Sequence, residues 1–462
     1  MRKFYIHHLY LIGFLSVILS CLYLNWQIPP HFDEARAWNI AKYLNPIEIF
    51  SIGKVEGHPF LWYYVLFPIA KLNLFYPYSL YILNIIIILS SLYILYKYAP
   101  LPTYIKYLIT FSAPFLQLYN SFARSYSLTI FLLFIILNLH NQRFSKQILY
   151  LTLILLLANT NTTGFFAAFS LGIIYLQEQL FSQKQLNKKE ILITTIFMII
   201  ELIALYVQFY GYDDRILRST PNAGLITTNI NIAYFPANII IVCAVYLAST
   251  YIFIKNKKYS ALFFLLFSSL QLTLLLNFIH EGGRHHHYFY YIYLISSYWI
   301  ANTKKEPLNN KQLLPLSILS MLLIFNNNIH YKHSYKDYVN EIKNSAMQIN
   351  KIFSNNKQEL ITFDDFSGNI MLPYLNNNII LLNQTATEYT KLKSFQEFLS
   401  FYYLPIKPED ISNRALKNPQ ILMYRTCGEN LYTNSNMIFN LKHKLNNTYC
   451  LYDIIVTSSI SF

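Results

Sequence analysis

The sequence is poor in what soluble enzymes are built from. Charged residues fill 13% of its 462 positions and hydrophobic ones 54%, a balance too apolar for an ordinary water-soluble domain. Glycine occurs only 11 times. No glycine-rich loop follows a strand-like run, so a nucleotide-phosphate cradle of the P-loop or dinucleotide-binding type has nowhere to form. The four cysteines lack CxxC spacing, which argues against zinc-ribbon and thioredoxin chemistry. No small-residue cleavage site follows the first apolar run, where Asn25-Trp26-Gln27-Ile28-Pro29 stands; the segment reads as a retained span. Acidic residues are scarce too, 22 against 36 Lys and Arg, for a formal charge of +14. The basic residues recur in short clusters between apolar runs and form no single patch. That pattern describes membrane topology, and nucleic acid is not an expected partner.

What is present is a series of apolar runs at 9–26, 78–96, 104–121, 124–140, 147–160, 163–180, 190–210, 232–254, 259–279, 285–301 and 313–325. A helix crosses a bilayer with about 20 apolar residues, so the expectation is an all-α polytopic membrane protein with about eleven crossings. The loops 97–106, 143–146, 184–189, 255–258 and 304–311 are basic and belong in the cytoplasm. Parity then requires that 58–77 make no net crossing. Its apolar part, 60–70, is too short to span alone and reads as a re-entrant or interfacial element.

This topology puts the unusual polar clusters on one face: Asp33-Glu34, Glu56-Gly57-His58-Pro59, Ala123-Arg124-Ser125-Tyr126, the turn 159–164, Asp213-Asp214-Arg215 and Glu281-Gly282-Gly283-Arg284-His285-His286-His287. A transporter or flippase, the rival reading, places polar groups on broken helices near the bilayer midplane. A structural or assembly protein leaves the one-sided clusters unexplained. After about residue 326 the apolar runs stop and Asn, Lys and Asp rise. The chain therefore divides into a transmembrane part, 1–325, and an extracytoplasmic part, 326–462, large enough for one small domain. Buried strands are expected at 360–363, 378–382, 420–424 and 451–456, with helices at 394–403 and 410–415, making a small α/β domain. An outside tail lies in an oxidising compartment, so Cys427 and Cys450 are expected to pair.

Asp33-Glu34 directly after the first span, followed by His58-Pro59-Phe60-Leu61, resembles the first extracytoplasmic loop of the GT-C membrane glycosyltransferases. The likeness is to bacterial relatives of the protein O-mannosyltransferases and of the aminoarabinose transferase that modifies lipid A. Their loop reads Asp-Glu and then His-Pro-Pro or Lys-Pro-Pro before an apolar run; here Phe60 replaces the second proline. The phrase Ala-Arg-x-Tyr at the start of a span also recurs among such proteins. The resemblance covers roughly the first 140 residues and the rest only as hydropathy.

The resemblance implies an inner-membrane enzyme of bacteria that moves one sugar, with inversion, from a polyprenyl-phosphate donor to an extracytoplasmic glycan, lipid or protein. Asp33 takes the place of the catalytic acid, and Glu34 orients the loop or touches the acceptor. His58 stands where relatives keep His or Lys. Arg124 opens a span from the outer side, where its planar fork suits phosphate oxygens. Arg284 and His285 are further phosphate donors, with Glu56 and Tyr126 as substrate contacts. Three successive histidines on a helix point about 100° apart, so 285–287 alone is not expected to form a metal site. No cofactor is required on this reading, and a divalent metal stays open. Asp213-Asp214-Arg215 reads as a solvated turn.

Overall fold

A computed structural model of the chain describes residues 2–27, 29–56, 58–72, 74–181, 188–210, 239–278, 282–302, 307–326, 330–354, 356–362, 365–382, 413, 415, 422–427 and 437–456. The clusters at 213–215 and Glu281, the helix expected at 394–403 and almost all of that at 410–415 lie outside the described residues. The chain divides into two compact units. One comprises Met1–Trp26, Ile52–Trp62 and Leu80–His330; the other comprises Gln27–Ser51, Tyr63–Ser79 and Tyr331–Phe462.

The first unit is helical. Along the chain it contains α1 (Arg2–Gln27) and, past the α2 and α3 of the second unit, α4 (Gly53–Glu56) and the start of α5 (Leu61–Lys71). There follow α6 (Tyr78–Tyr98), α7 (Thr103–Phe111), α8 (Ser125–Leu139), α9 (Gln147–Ala158), α10 (Thr162–Phe181) and α11 (Lys188–Phe209). After these come α12 (Ile239–Lys255), α13 (Tyr259–Phe278), the single turn α14 (Arg284–His287), α15 (Phe289–Ala301) and α16 (Leu314–Ile324). Among the described helices, α6, α11 and α13 are long and apolar enough to cross a membrane. Several of the others are interrupted or short, whereas α1 and α10 have 26 and 20 residues. The run expected at 104–121 breaks after α7 into a π-turn at Pro114–Leu118, because proline cannot donate to the helical ladder. A helix such as α9, with 12 residues, is about 18 Å long, less than the roughly 30 Å of a bilayer core.

The turn between α9 and α10 is a polar knot. Asn161 Oδ1 accepts from Gly164 N at 2.8 Å and from Thr163 Oγ1 at 2.7 Å, while its Nδ2 donates to Ser125 Oγ at 3.0 Å and Thr129 Oγ1 at 2.9 Å on α8. Tyr293 Oη on α15 donates to Thr163 O at 2.7 Å. Buried amides need such partners in apolar surroundings. Gly164 is required sterically: a Cβ there lies 2.6 Å from Leu157 O and also meets Thr160 Oγ1. Gly164→Ala is therefore expected to cost roughly 1–3 kcal/mol, read as a lower thermal midpoint of the detergent-solubilised protein. An unchanged midpoint would contradict this packing.

The second unit holds α2 (Phe32–Tyr43), α3 (Pro46–Phe50), the long α17 (His330–Ile352) and a mixed sheet. Its strands are β1 (Gln358–Thr362), β2 (Ile379–Leu382), β3 (Leu422–Thr426), β4 (Met437–Lys444) and β5 (Tyr449–Val456), in the order β2-β1-β3-β5-β4. β2, β1 and β3 run parallel and β5 and β4 form an antiparallel edge. The parallel β1–β2 pair needs a crossover, supplied by α18 (Asp365–Met371). Ile361, Leu382, Met423, Tyr452 and Ile454 build the sheet core. Cys427 and Cys450 are bridged, with Cα atoms 5.2 Å apart; Cys21 and Cys243 are not disulfide-bonded. The sheet has the expected α/β character with a hairpin added at its edge, and it includes the strands anticipated near 360, 380, 422 and 452.

Candidate functional site

In the second unit, the Asp33-Glu34 pair is not in a loop. It forms the first turn of α2, whose N-cap is His31 in an extended conformation. Glu34 Oε2 accepts from His31 N at 2.7 Å and completes a capping box, which satisfies a backbone donor that the helix start would otherwise leave orphaned. This geometry separates the two carboxylates. Glu34 is 0% exposed and committed to the cap, whereas the Asp33 side chain is 33% exposed. Its Oδ2 lies 3.6 Å from His31 Nδ1, and Asp33 N donates to the same nitrogen at 3.4 Å.

Almost every side of α2 is buried, although it carries Glu34, Arg36 and Asn39. Burying ionisable groups costs several kcal/mol per ion unless the surroundings compensate. Arg36, 1% exposed, sits with its guanidinium carbon 5.9 Å from the centroid of Phe32. Asn39 Nδ2 donates to Asn369 O at 3.0 Å and Oδ1 at 3.2 Å, tying α2 to α18 across 330 residues. An aromatic wall completes the cluster, with Trp38 5.1 Å from Tyr76 and Tyr76 5.4 Å from Tyr374 between ring centroids. Burial pushes both tyrosine hydroxyls above the usual phenol range. The neighbouring phenol and then the Glu34 charge add to the shift at Tyr76, and Glu34 adds to it at Tyr374. Both hydroxyls stay protonated at neutral pH.

In the first unit, Arg124 is the N-cap of α8 and 6% exposed. A helix N-terminus presents unpaired N–H groups and the positive end of the dipole, and the guanidinium adds a full charge, so the position favours an anion. Two residues on, Tyr126 Oη lies 3.1 Å from His286 Nε2, and its ring is 4.9 Å from that of His285. Gly283 N donates to His286 Nδ1 at 3.1 Å, which leaves the Nε2 proton of the neutral imidazole to point at Tyr126. The tyrosine oxygen accepts there, and its own proton is directed elsewhere. Tyr119 Oη fixes the next carbonyl, His285 O, at 2.9 Å. The glycines serve this turn: Gly282 has φ +66°, and a Cβ on Gly283 would lie 2.7 Å from the His285 ring.

The structure thus brings Tyr126, His285 and His286 together beside the helix end that Arg124 caps, with Arg284 opening α14. The hydrogen bonds from the start of α5, next to His58, run elsewhere: Phe60 N to Gln208 Oε1 at 3.3 Å and Leu61 N to Asn159 O at 3.1 Å. Glu56 ends α4 just before it. Among the described residues no three His, Cys, Asp or Glu side chains gather in a metal-binding arrangement. Sequence reasoning named His286 only as part of the 281–287 cluster and passed over Tyr76 and Tyr374. The pairing of α2 with residues beyond 360 leaves no trace in local sequence.

No family model matches the chain, and no curated protein matches it. Among solved structures, the crystal structure of ArnT from Cupriavidus metallidurans in the apo state aligns with a TM-score of 0.55 at 9% identity, over 96% of this chain and 97% of that one. The chain has the ArnT fold. That is the GT-C fold to which the Asp33-Glu34 and His58-Pro59 motifs point, and the match runs far beyond the first 140 or so residues where the motifs lie.

Proposed function

We propose that the protein is a GT-C glycosyltransferase of the bacterial inner membrane that moves a sugar from a polyprenyl-phosphate carrier to an extracytoplasmic glycan, lipid or protein. The ArnT fold supports the class, ArnT being a lipid A aminoarabinose transferase. The observation that carries the reading further is the division of labour at the head of α2, where Glu34 is spent on the cap and Asp33 faces solvent. Asp33 accepts the proton of the acceptor hydroxyl as its oxygen attacks the anomeric carbon. The bond from that carbon to the phosphate oxygen breaks with inversion, and polyprenyl phosphate leaves. Arg124, Arg284, His285 and His58 hold the phosphate as negative charge builds on it. Tyr126 and Glu56 contact substrate. About eleven crossings, a re-entrant α5 and an outside tail from about residue 326 belong to the same proposal, since they put these residues on the face where lipid-linked sugars are used.

Mass spectrometry of envelope glycans, lipids and proteins from a deletion strain tests this reading. The expected result is the loss of one sugar from one class of acceptor, restored by the wild-type gene. An envelope identical to that of the parent would contradict it.

A further inference from the structure

Glu201 is an acidic residue inside α11, one of the helices long and apolar enough to cross a membrane. Such residues are expensive to keep in a bilayer and mark function when retained. On one side Glu201 lines a cavity of ≈ 160 Å³ between α9, α10 and α11, walled by apolar side chains such as Ile154, Phe165, Phe169 and Met198. Its Oε1 is buried without a hydrogen-bond partner among the described residues. On the other side Oε2 accepts from Asn159 Nδ2 at 3.1 Å. Asn159 Oδ1 accepts from Gln208 Nε2 at 2.7 Å. Gln208 Oε1 then accepts from Phe60 N at 3.3 Å, and Asn159 O from Leu61 N at 3.1 Å.

The chain ends on the N–H of Phe60, directly before α5, and on that of Leu61, the first residue of α5, which the helix itself cannot pair. They follow directly on His58-Pro59. A second contact fixes the same seat from the other side of the motif: at Gly53, which begins α4, a Cβ would lie 3.1 Å from Gln208 O and 3.2 Å from the Phe209 ring. Glycine lets the segment before Glu56 press against the end of α11. Gly53 on one side of the motif and Phe60 and Leu61 on the other are thus held on Gln208 and its neighbours, Gly53 by close packing and the other two by hydrogen bonds.

We infer that Gln208, Asn159 and Glu201 form a polar chain that positions Glu56 and His58 for the transfer reaction. These are positioning residues that act through α5. The inference rests on the proposed transferase activity for its kinetic effect, but the anchoring has a readout of its own.

Hydrogen exchange by mass spectrometry on the full-length protein in nanodiscs follows the amides of 60 and 61, and transfer from a polyprenyl-phosphate sugar is assayed alongside. Gln208→Leu is expected to speed exchange at those amides at least tenfold, with α9 and α11 keeping their protection. It should lower kcat about tenfold or more, since small misplacements of reacting groups are costly, with a smaller change in donor KM. Glu201→Leu should act in the same direction, and Glu201→Gln, which can still accept from Asn159, should restore most of the loss. Gly172→Ala, whose Cβ meets nothing within 4 Å, serves as the folded control on the same cavity wall. Unchanged exchange at 60 and 61 in Gln208→Leu overturns the anchoring, and faster exchange with wild-type kcat overturns the positioning role. If the wild-type protein transfers no sugar, the functional reading fails, and the exchange result alone decides the anchoring.

Discussion

Asp33→Asn is expected to abolish most sugar transfer, by about 10²-fold or more, while the protein inserts, folds and binds donor as before. Asparagine keeps the size of the side chain and its place on the first turn of α2 but cannot take a proton. Its neighbour provides the contrast. Glu34 is buried and its Oε2 caps His31 N at 2.7 Å; glutamine can accept that same bond. Glu34→Gln is therefore expected to retain transfer within a few-fold, whereas Glu34→Ala should lose stability by about 1 kcal/mol. The measurement is kcat of the two amide variants side by side, with thermal midpoints as the folding control. If Glu34→Gln were inactive and Asp33→Asn active, the two carboxylates would have exchanged roles.

Arg124→Ala is expected to act on a different step. The residue is the N-cap of α8, so its positive charge belongs to a helix N-terminus whose dipole also favours an anion. A hydrogen bond to a charged group contributes about 1.5–3 kcal/mol, so its loss should raise the donor KM by about 10- to 100-fold. Because phosphate charge grows as the carrier leaves, kcat should fall as well. Arg124→Lys keeps the charge but not the planar fork and should fall between the two. The check is a donor titration at saturating acceptor for wild type, Lys and Ala. A donor KM unchanged in the alanine variant would remove Arg124 from the phosphate site.

Much of this architecture is legible in the sequence because two signals are strong over long windows. Apolar runs locate the helical part, and Asp33-Glu34 with His58-Pro59 resembles the first extracytoplasmic loop of GT-C proteins. Arg124 is found by its place at the head of an apolar run, and it caps α8. What escaped has physical causes. α17 is polar, yet Val339, Ile342, Ala346 and Ile349, with Phe353 just past its end, repeat at steps of three and four residues and are all buried; the amphipathic period was present and masked by Asn and Lys. β4 was missed because Asn440, Lys442 and Lys444 interrupt it at a sheet edge, where Leu441 is exposed and the register shifts between Leu441 and His443, a pattern weaker than a continuous apolar run. α2 reads as a polar loop because its burial depends on Asn369, 330 residues away, and local sequence holds no record of that partner. Glu201 was visible as an acid inside a span, but only geometry links it through Asn159 and Gln208 to the start of α5.

The most direct test of the account is a transfer assay with purified protein in lipid nanodiscs, a labelled polyprenyl-phosphate sugar and an envelope extract as the source of acceptor. Label is expected to move into one acceptor with stoichiometric release of polyprenyl phosphate in the wild-type protein, and at about a hundredth of that rate or less in Asp33→Asn. Equal transfer by both proteins, or none from any polyprenyl-phosphate sugar supplied to the wild type, would contradict the account.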